Sequence, residues 1–126
     1  MPPVIVWYVT IKNTIIEKDL SYRLVGMLFR IHQELGRFCR ERQYGDALER
    51  ELLQSKLPFE RERSYLVVGR FSNRVDFVID GKIIVDLKAK HYLTDEDFSQ
   101  MKRYLQSSGL RLGFIVNFRG RYLNPK

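Results

Sequence analysis

The sequence predicts an α/β domain in which helices flank a mixed four-stranded sheet, with the elements in the order α-α-β-β-β-α-β. Two observations support this prediction. Apolar residues recur at helical spacing in the first half of the chain, whereas short apolar runs bounded by turn residues occupy much of the second half. In addition, a segment with a strong helix start separates the last two apolar runs, which is typical of a right-handed βαβ crossover.

Length and composition fit a single domain over residues 1–126. Hydrophobic residues make up 44% of the 126 positions, enough to bury a core, so an intrinsically disordered chain is not expected. The net charge of +7 favours a polyanionic partner, nucleic acid first, although a basic protein without such a partner is the alternative. Cys39 is the only cysteine, which excludes an internal disulfide and fits a reducing cytoplasmic compartment.

The apolar run VIVWYVTI, within residues 1–19, is rich in β-branched and aromatic residues and predicts an additional strand near the amino terminus. Two placements remain open for it: an edge of the sheet, or a contact with a second subunit in a homodimer. No basic residue precedes the run and it is too short to cross a bilayer, so neither a signal peptide nor a membrane partner is expected.

Two helices follow this strand. The first is predicted over residues 20–35, where one apolar stripe runs along the helix and Gly36 provides a stop. The second is predicted over residues 38–55, and Pro58 prevents it from continuing. Its expected core residues are Ala47, Leu48, Leu52 and Leu53.

Three strands come next, and the last two form a hairpin. They are predicted over residues 59–69, 73–79 and 82–89. A third helix begins at Thr94, a good amino-terminal cap, and ends before Gly109. The final strand covers residues 112–118 and is nearly all apolar, which predicts a central strand parallel to a neighbour.

The hairpin contains two carboxylates and a lysine inside apolar strands. Asp76, Asp86 and Lys88 are costly to bury unless they pair with each other or hold a metal ion. A two-residue loop at Asp80-Gly81 would put the two aspartates on opposite faces of the sheet. A three-residue loop with a left-handed Gly81 would put both aspartates on the face that carries Lys88. The sequence permits both loops.

Two carboxylates beside a lysine suit a hard cation such as Mg²⁺ or Mn²⁺. Mg²⁺ usually takes one or two carboxylates together with waters and substrate phosphate. A bound cation polarises a phosphate and lowers the pKa of a bound water, while a nearby lysine can neutralise the developing negative charge. The alternative is an Asp–Lys pair that faces solvent on a half-buried sheet.

The order of Asp76, a hairpin and then Asp86-Leu87-Lys88 resembles the motif of PD-(D/E)XK nucleases. From about residue 22 to residue 118, the chain is similar to one branch of that superfamily, the GxxExxY family. The similar segments are VGMLFRIHQELG, FCRERQYGDALERELL, VDFVIDGKIIVDLKA and SQMKRYLQSSGLRLGFIVNF.

Two positions depart from the family pattern. Phe38 occupies the place where the GxxExxY signature opens with glycine, which leaves the start of the second helix open. Val75 precedes the first aspartate where the superfamily motif has proline. The acidic positions of the motif are all retained.

The resemblance implies a restriction-endonuclease-like core and four catalytic residues: Asp76, Asp86, Lys88 and Glu41. It also implies that Asp76, Asp86, the Leu87 carbonyl and Glu41 hold Mg²⁺ or Mn²⁺. The role of Glu41 rests on the acid that related nucleases contribute from this helix. A surface glutamate paired with a neighbouring arginine is the alternative, and Glu34 is a weaker candidate for the same role.

Six further residues are predicted to contact substrate: Gln100, Tyr104, Tyr44, Lys90, Lys102 and Arg103. Gln100 matches the glutamine of the family pattern, and Tyr104 lies one helical turn later. The alternative for this pair is the polar flank of an amphipathic helix, and for the basic residues a solvated face. The basic tail over residues 119–126 could lie along a nucleic-acid backbone.

Together these features predict a metal-dependent nuclease that hydrolyses phosphodiester bonds in DNA, with RNA as the second choice. One alternative is a non-catalytic nucleic-acid-binding module that retains the nuclease fold. Another is a protein-interaction module, such as an accessory component of a toxin–antitoxin system, in which the first strand mediates assembly. A non-catalytic relic would be expected to lose some of the acidic positions, and this chain has kept them.

Overall fold

The computed structural model describes residues 4–10, 17–67, 70–120 and 123–125, with side chains over 17–62 and 74–120. The elements are β1 (Val4–Thr10), α1 (Lys18–Leu35), α2 (Glu41–Gln54), β2 (Phe59–Val67), β3 (Arg70–Ile79), β4 (Ile83–Lys88), α3 (Asp95–Ser108), β5 (Leu112–Asn117) and β6 (Leu123–Pro125). The predicted α-α-β-β-β-α-β order is confirmed from α1 to β5. The predicted end of β2 at residues 68–69 lies outside the described residues.

The six strands form one mixed sheet in the order β2-β3-β4-β5-β1-β6. β4 and β5 run parallel, which confirms the crossover through α3, while β2, β3 and β4 are antiparallel neighbours. The predicted amino-terminal strand exists as β1, but it pairs antiparallel with β5 and parallel with β6. Of the two placements left open, the sheet edge is not the one observed, because part of the basic tail forms the edge strand β6. A contact with a second subunit stays a prediction.

The sheet separates two apolar clusters. On one face α1 and α2 cover side chains that include Phe77 and Val85, and on the other face α3 covers Val78 and Ile84. Leu53, predicted as a core residue, is 61% exposed because it lies on the outer side of α2. None of the helices in the described ranges is both long and apolar enough to cross a membrane.

The β3–β4 hairpin has the three-residue loop. Ile79 pairs with Ile83, and the amide of Lys82 donates to the Ile79 carbonyl at 3.0 Å. Gly81 takes the left-handed conformation (φ 61°), and so does Asp80 (φ 53°), a residue type that tolerates it better than most. The register consequently places residue 76 opposite residue 86.

The second helix begins at Glu41, three residues later than predicted. The Tyr44 hydroxyl donates to the Gly36 carbonyl at 2.6 Å and accepts from the Cys39 amide at 3.2 Å, which holds the preceding segment in a non-helical path. At the observed start of α2, the Gln43 side chain accepts a hydrogen bond from the Arg40 amide at 2.9 Å. The loop and the first turn of α2 are thereby fixed together.

Candidate active site

The ladder between β3 and β4 stops just before the two aspartates. Its last pair in this direction is Phe77 with Val85. Beyond that pair, side chains replace the backbone partners: the Asp76 amide donates to Asp86 Oδ1 at 3.3 Å, and the Leu87 amide donates to Asp76 Oδ2 at 2.6 Å. Each carboxylate is therefore held by the backbone of the opposite strand, and the two groups lie side by side.

A local break in strand geometry turns Asp76 toward α2. Val75 packs in the same cluster as Val78, on the α3 face, although strict alternation from Val78 would place it on the α2 face. The neighbouring strand is irregular at the same level, because Glu62, the residue opposite Asp76 in the β2–β3 register, has a positive φ of 58°. The break lets Asp76 reach the space beneath the second helix.

That space is a cavity of about 530 Å³ between α2 and the open end of the hairpin. Its lining includes Glu41, Gly45, Arg61, Glu62, Asp76 and Leu87. Glu41 therefore faces the same cavity as Asp76, whereas Glu34, the weaker candidate, lines a different cavity between α1 and α2. The structure favours Glu41 over Glu34 as the helix-borne acid.

The two aspartates are electrostatically unfavourable as a pair of free carboxylates. Burial and then the negative charge of Asp76 raise the pKa of Asp86 from its ordinary 3.8 to about 6. Burial also raises the pKa of Asp76, and the negative charge of Glu41 adds to this increase. The hydrogen bond from the Leu87 amide and the positive charge of Lys88 act in the opposite direction. Close like charges in a buried place are stabilised by a cation.

The donor set fits a hard divalent cation. The hydrogen bonds found for the two carboxylates use Oδ2 of Asp76 and Oδ1 of Asp86, which leaves the other oxygen of each for a metal ion. Within the described ranges, no three His, Cys, Asp or Glu residues lie close enough together to form a complete ligand cluster. Glu41 therefore borders the aspartate pair without completing it, and a pair of carboxylates is what Mg²⁺ commonly takes from protein.

Lys88 lies close to another buried acid, Asp97, as well as to the aspartate pair. Its Nζ is 3.9 Å from Asp97 Oδ1, and it interacts electrostatically with both Asp76 and Asp86. Lys90, predicted to contact substrate, pairs with Asp97 Oδ2 at 2.5 Å, and its contact with substrate stays a prediction.

Asp97 anchors the start of α3 as well as these lysines. Its Oδ2 accepts from the Thr94 amide at 2.7 Å, while its own amide donates to the Thr94 hydroxyl at 3.4 Å. Burial opposes ionisation of Asp97, but the hydrogen bonds from Lys90 and from the Thr94 amide outweigh it and lower the pKa. The sequence marked Asp97 only as a helix-start residue, and nothing in the local pattern indicated its contact with the lysines.

Tyr104 and Gln100 lie behind the carboxylates on the α3 face. Tyr104 is 2% exposed, and its side chain is hydrogen-bonded to that of Gln100. Burial raises the pKa of the Tyr104 phenol to about 12, and the negative charges of Asp86 and Asp76 add to the effect. The pair is thus close to the acidic centre, but Tyr104 is covered rather than open to a substrate.

The other predicted substrate contacts differ in exposure. Tyr44 is fully buried and its hydroxyl is engaged by the loop before α2, so its role is structural, contrary to the prediction. Lys102 is exposed. Arg103 pairs with Glu96 at 2.6 Å on the outer surface of α3.

Arg61 is a cation of the cavity that sequence reasoning missed. Its Nη1 lies 2.8 Å from Asp46 Oδ1 and 3.7 Å from Glu49 Oε1, and its guanidinium carbon lies 5.4 Å from the Phe77 ring centroid. It also interacts electrostatically with Asp76. The available signal was Gly45, since a glycine inside a helix often marks a close approach by another group.

Comparison with known proteins agrees with this geometry. The sequence model of the PD-(D/E)XK nuclease superfamily matches residues 18–125. Searches of curated proteins and of solved structures gave no significant match. Nucleases of this superfamily usually use divalent metal ions. The match does not distinguish the GxxExxY branch, which stays a prediction. Because the match spans most of the chain, the protein belongs to the PD-(D/E)XK nuclease superfamily.

Proposed function

We propose that this protein is a metal-dependent nuclease that hydrolyses phosphodiester bonds in DNA, with RNA as the second choice. One observation supports the proposal above the others. Asp76 and Asp86 lie side by side where the β3–β4 ladder opens, next to the cavity that Glu41 lines. The net charge of +7 is consistent with a polyanionic substrate.

In this proposal Asp76 and Asp86 hold Mg²⁺ or Mn²⁺, with Glu41 and the Leu87 carbonyl as further ligands. The ion would polarise the scissile phosphate and lower the pKa of a bound water. Lys88 positions that water and neutralises the negative charge that develops on the phosphate. Asp97 restrains Lys88 from the far side, since the two groups are 3.9 Å apart.

The remaining chain contributes contacts to the nucleic-acid backbone. Lys102 is exposed on α3 and is a candidate for phosphate contact, and Arg103 would have to leave Glu96 to make one. Gln100 and Tyr104 support Asp76 and Asp86 from the α3 face of the sheet. Arg61 adds a positive charge at the wall of the cavity.

The direct test is a cleavage assay. Purified protein is incubated with single-stranded, duplex and branched DNA and with RNA, in Mg²⁺, Mn²⁺ or EDTA. Lys88→Ala and Asp86→Asn are compared with Lys18→Ala, which removes an exposed lysine at the start of α1. Cleavage that is lost with EDTA and with both site variants, but kept by Lys18→Ala, supports the proposal. Cleavage that persists in EDTA or in Asp86→Asn contradicts it.

A second candidate is a nucleic-acid-binding or protein-interaction module without catalysis. It is favoured by the position of Glu41, which lines the cavity beside Asp76 but does not form a cluster of three acids with the aspartate pair among the described residues. Nucleic-acid binding that survives EDTA and Lys88→Ala, without cleavage under any condition, would support the binding module. Light scattering would test the homodimer, and localisation of a tagged protein would test the cytoplasmic assignment.

A further inference from the structure

An exposed aromatic ring in the segment that joins α1 and α2 is close to two arginines. Phe38 is 74% exposed. The guanidinium carbon of Arg37 is 4.7 Å from its ring centroid, and that of Arg119 is 5.7 Å away. We call these three residues the Phe38 platform. A phenylalanine this exposed gains little from burial, so packing does not explain its place on the surface.

The Phe38 platform borders the candidate active site. Arg119 Nη2 donates to the carbonyl of Ala89 at 3.4 Å, and Ala89 follows Lys88. The amide of Phe118 donates to the Lys88 carbonyl at 2.9 Å. The platform therefore lies at the carboxyl ends of β4 and β5, the end of a sheet at which ligands of open α/β folds bind.

The backbone under the platform is firmly held. The hydroxyl of Tyr44 bonds to the Gly36 carbonyl and to the Cys39 amide, on either side of Phe38. The Tyr44 ring stacks on Phe118 with a centroid distance of 4.1 Å and an interplanar angle of 6°. Phe38 is thus presented by a fixed turn, which reduces the entropy lost when a ligand binds.

The two arginines retain unused capacity to bind an anion. The Nε atoms of Arg37 and Arg119 are buried without a hydrogen-bond partner among the described residues. Within the same residues, neither guanidinium forms an ion pair with a carboxylate. A ring with an exposed surface, beside two guanidinium groups that form no ion pair with a carboxylate of the described residues, matches the two parts of a nucleotide, a flat base and a phosphate.

We propose that the Phe38 platform binds an unpaired nucleobase and its adjoining phosphate, so that the protein prefers single-stranded or frayed nucleic acid over closed duplex. The inference rests on the proposed nuclease function for its substrate class. A base inside a duplex already stacks on its neighbours and cannot use the platform without leaving the helix. Every base has a stacking face, so the preference concerns strandedness and not sequence.

The first test measures binding in EDTA, where cleavage does not interfere. A thymidine oligonucleotide and a closed hairpin duplex are titrated against wild type, Phe38→Leu and Phe38→Trp. Phe38→Leu should weaken single-strand binding by about tenfold or more and leave duplex binding nearly unchanged. Phe38→Trp, which keeps an aromatic face, should retain the single-strand affinity. Equal losses for both ligands in Phe38→Leu, or no loss, would overturn the inference.

Tyr22→Leu is the matched control. Tyr22 is 83% exposed on α1, and the Glu17–Lys82 ion pair at 3.5 Å places the start of that helix beside the hairpin loop, away from Lys88. Its substitution should change neither affinity. Arg119→Gln should reduce the dependence of log affinity on log salt concentration by about 0.7, the effect of one lost phosphate contact on a single strand. An unchanged salt dependence in Arg119→Gln would count against the phosphate half of the platform.

A cross-linking experiment locates the base directly. An oligonucleotide that carries 5-iodouracil is irradiated in complex with the protein, and the cross-linked peptide is identified by mass spectrometry. A cross-link at Phe38 is expected, whereas a cross-link only elsewhere would overturn the inference.

Two outcomes separate this inference from the proposed function. If Phe38→Leu leaves the cleavage rate unchanged, the platform is contradicted and the nuclease proposal stands. Absence of any metal-dependent cleavage, with single-strand binding that still depends on Phe38, would remove only the nuclease proposal.

Discussion

Arg61 occupies the space that a side chain at Gly45 would need. A Cβ atom built on Gly45 would lie 2.6 Å from Arg61 Nη2, a distance that real Cβ atoms do not adopt. The glycine inside α2, near its start, thus allows a cation from β2 to line the cavity beside Asp76. A glycine destabilises a helix by about 1 kcal/mol relative to alanine. Its presence at position 45 is therefore better explained by the space it leaves for Arg61 than by the helix itself.

Gly45→Ala should displace Arg61 and lower the rate of cleavage by roughly tenfold to a hundredfold, because the cavity loses a positioned charge. Global stability should change little, since the gain in helix propensity offsets the lost packing. Gly26→Ala is the control: it lies in the interior of α1, and its nearest contact would be 3.7 Å from Arg30 Nη1. The control should keep full activity. Equal activity in both variants would show that Arg61 does not contribute.

Asp86→Asn should stabilise the metal-free protein while it abolishes cleavage. At neutral pH the native Asp86 carries a buried charge next to Asp76, and an amide removes that repulsion while it can still accept the Asp76 amide hydrogen bond. We expect a melting temperature in EDTA that is higher by about 4 °C for each kcal/mol gained. Glu34→Gln, an exposed carboxylate on α1, should not change it. A lower melting temperature for Asp86→Asn would contradict the repulsion.

The contribution of Asp86 to the stability of the metal-free protein should fall as pH rises from about 4 to about 6. The pKa of Asp86 is about 6 in the native state against an ordinary 3.8, so the native state binds more protons than the unfolded state between these values. The stability that Asp86 contributes therefore decreases with rising pH in this window. Thermal unfolding in EDTA across this range, compared between wild type and Asp86→Asn, isolates the effect. Parallel curves for the two proteins would refute it.

Asp97→Asn should destabilise the fold and alter cleavage through Lys88. Asp97 is 8% exposed and pairs with both Lys88 and Lys90, so its neutralisation removes the carboxylate that forms an ion pair with each of these lysines. We expect a loss of about 1–3 kcal/mol and a shift in the pH profile of cleavage, since the charge next to Lys88 changes. Asp95→Asn, an exposed acid in the same first turn of α3, is the control. A pH profile that Asp97→Asn leaves unchanged would mean that Asp97 supports only the helix start.

Local patterns predicted the elements well where one short segment contains the whole cause. The start of α3 follows from Thr94, whose hydroxyl accepts from the amide three residues later. The start of α2 was predicted too early because the hydroxyl that holds the preceding loop belongs to Tyr44, within the helix itself. The outward direction of Leu53 likewise depends on how α2 lies on the sheet, which the apolar spacing alone does not reveal.

By itself the sequence determined the order of the elements and the presence of two acids and a lysine within one hairpin, because apolar spacing and turn residues act locally. It left the length of the hairpin loop open. Tertiary structure selected the three-residue loop: the amide of Asp80 donates to the Pro58 carbonyl at 2.7 Å, and Ile79 and Ile83 bury together against the helices. These contacts join segments that are remote in the chain. They alone bring Asp76 opposite Asp86.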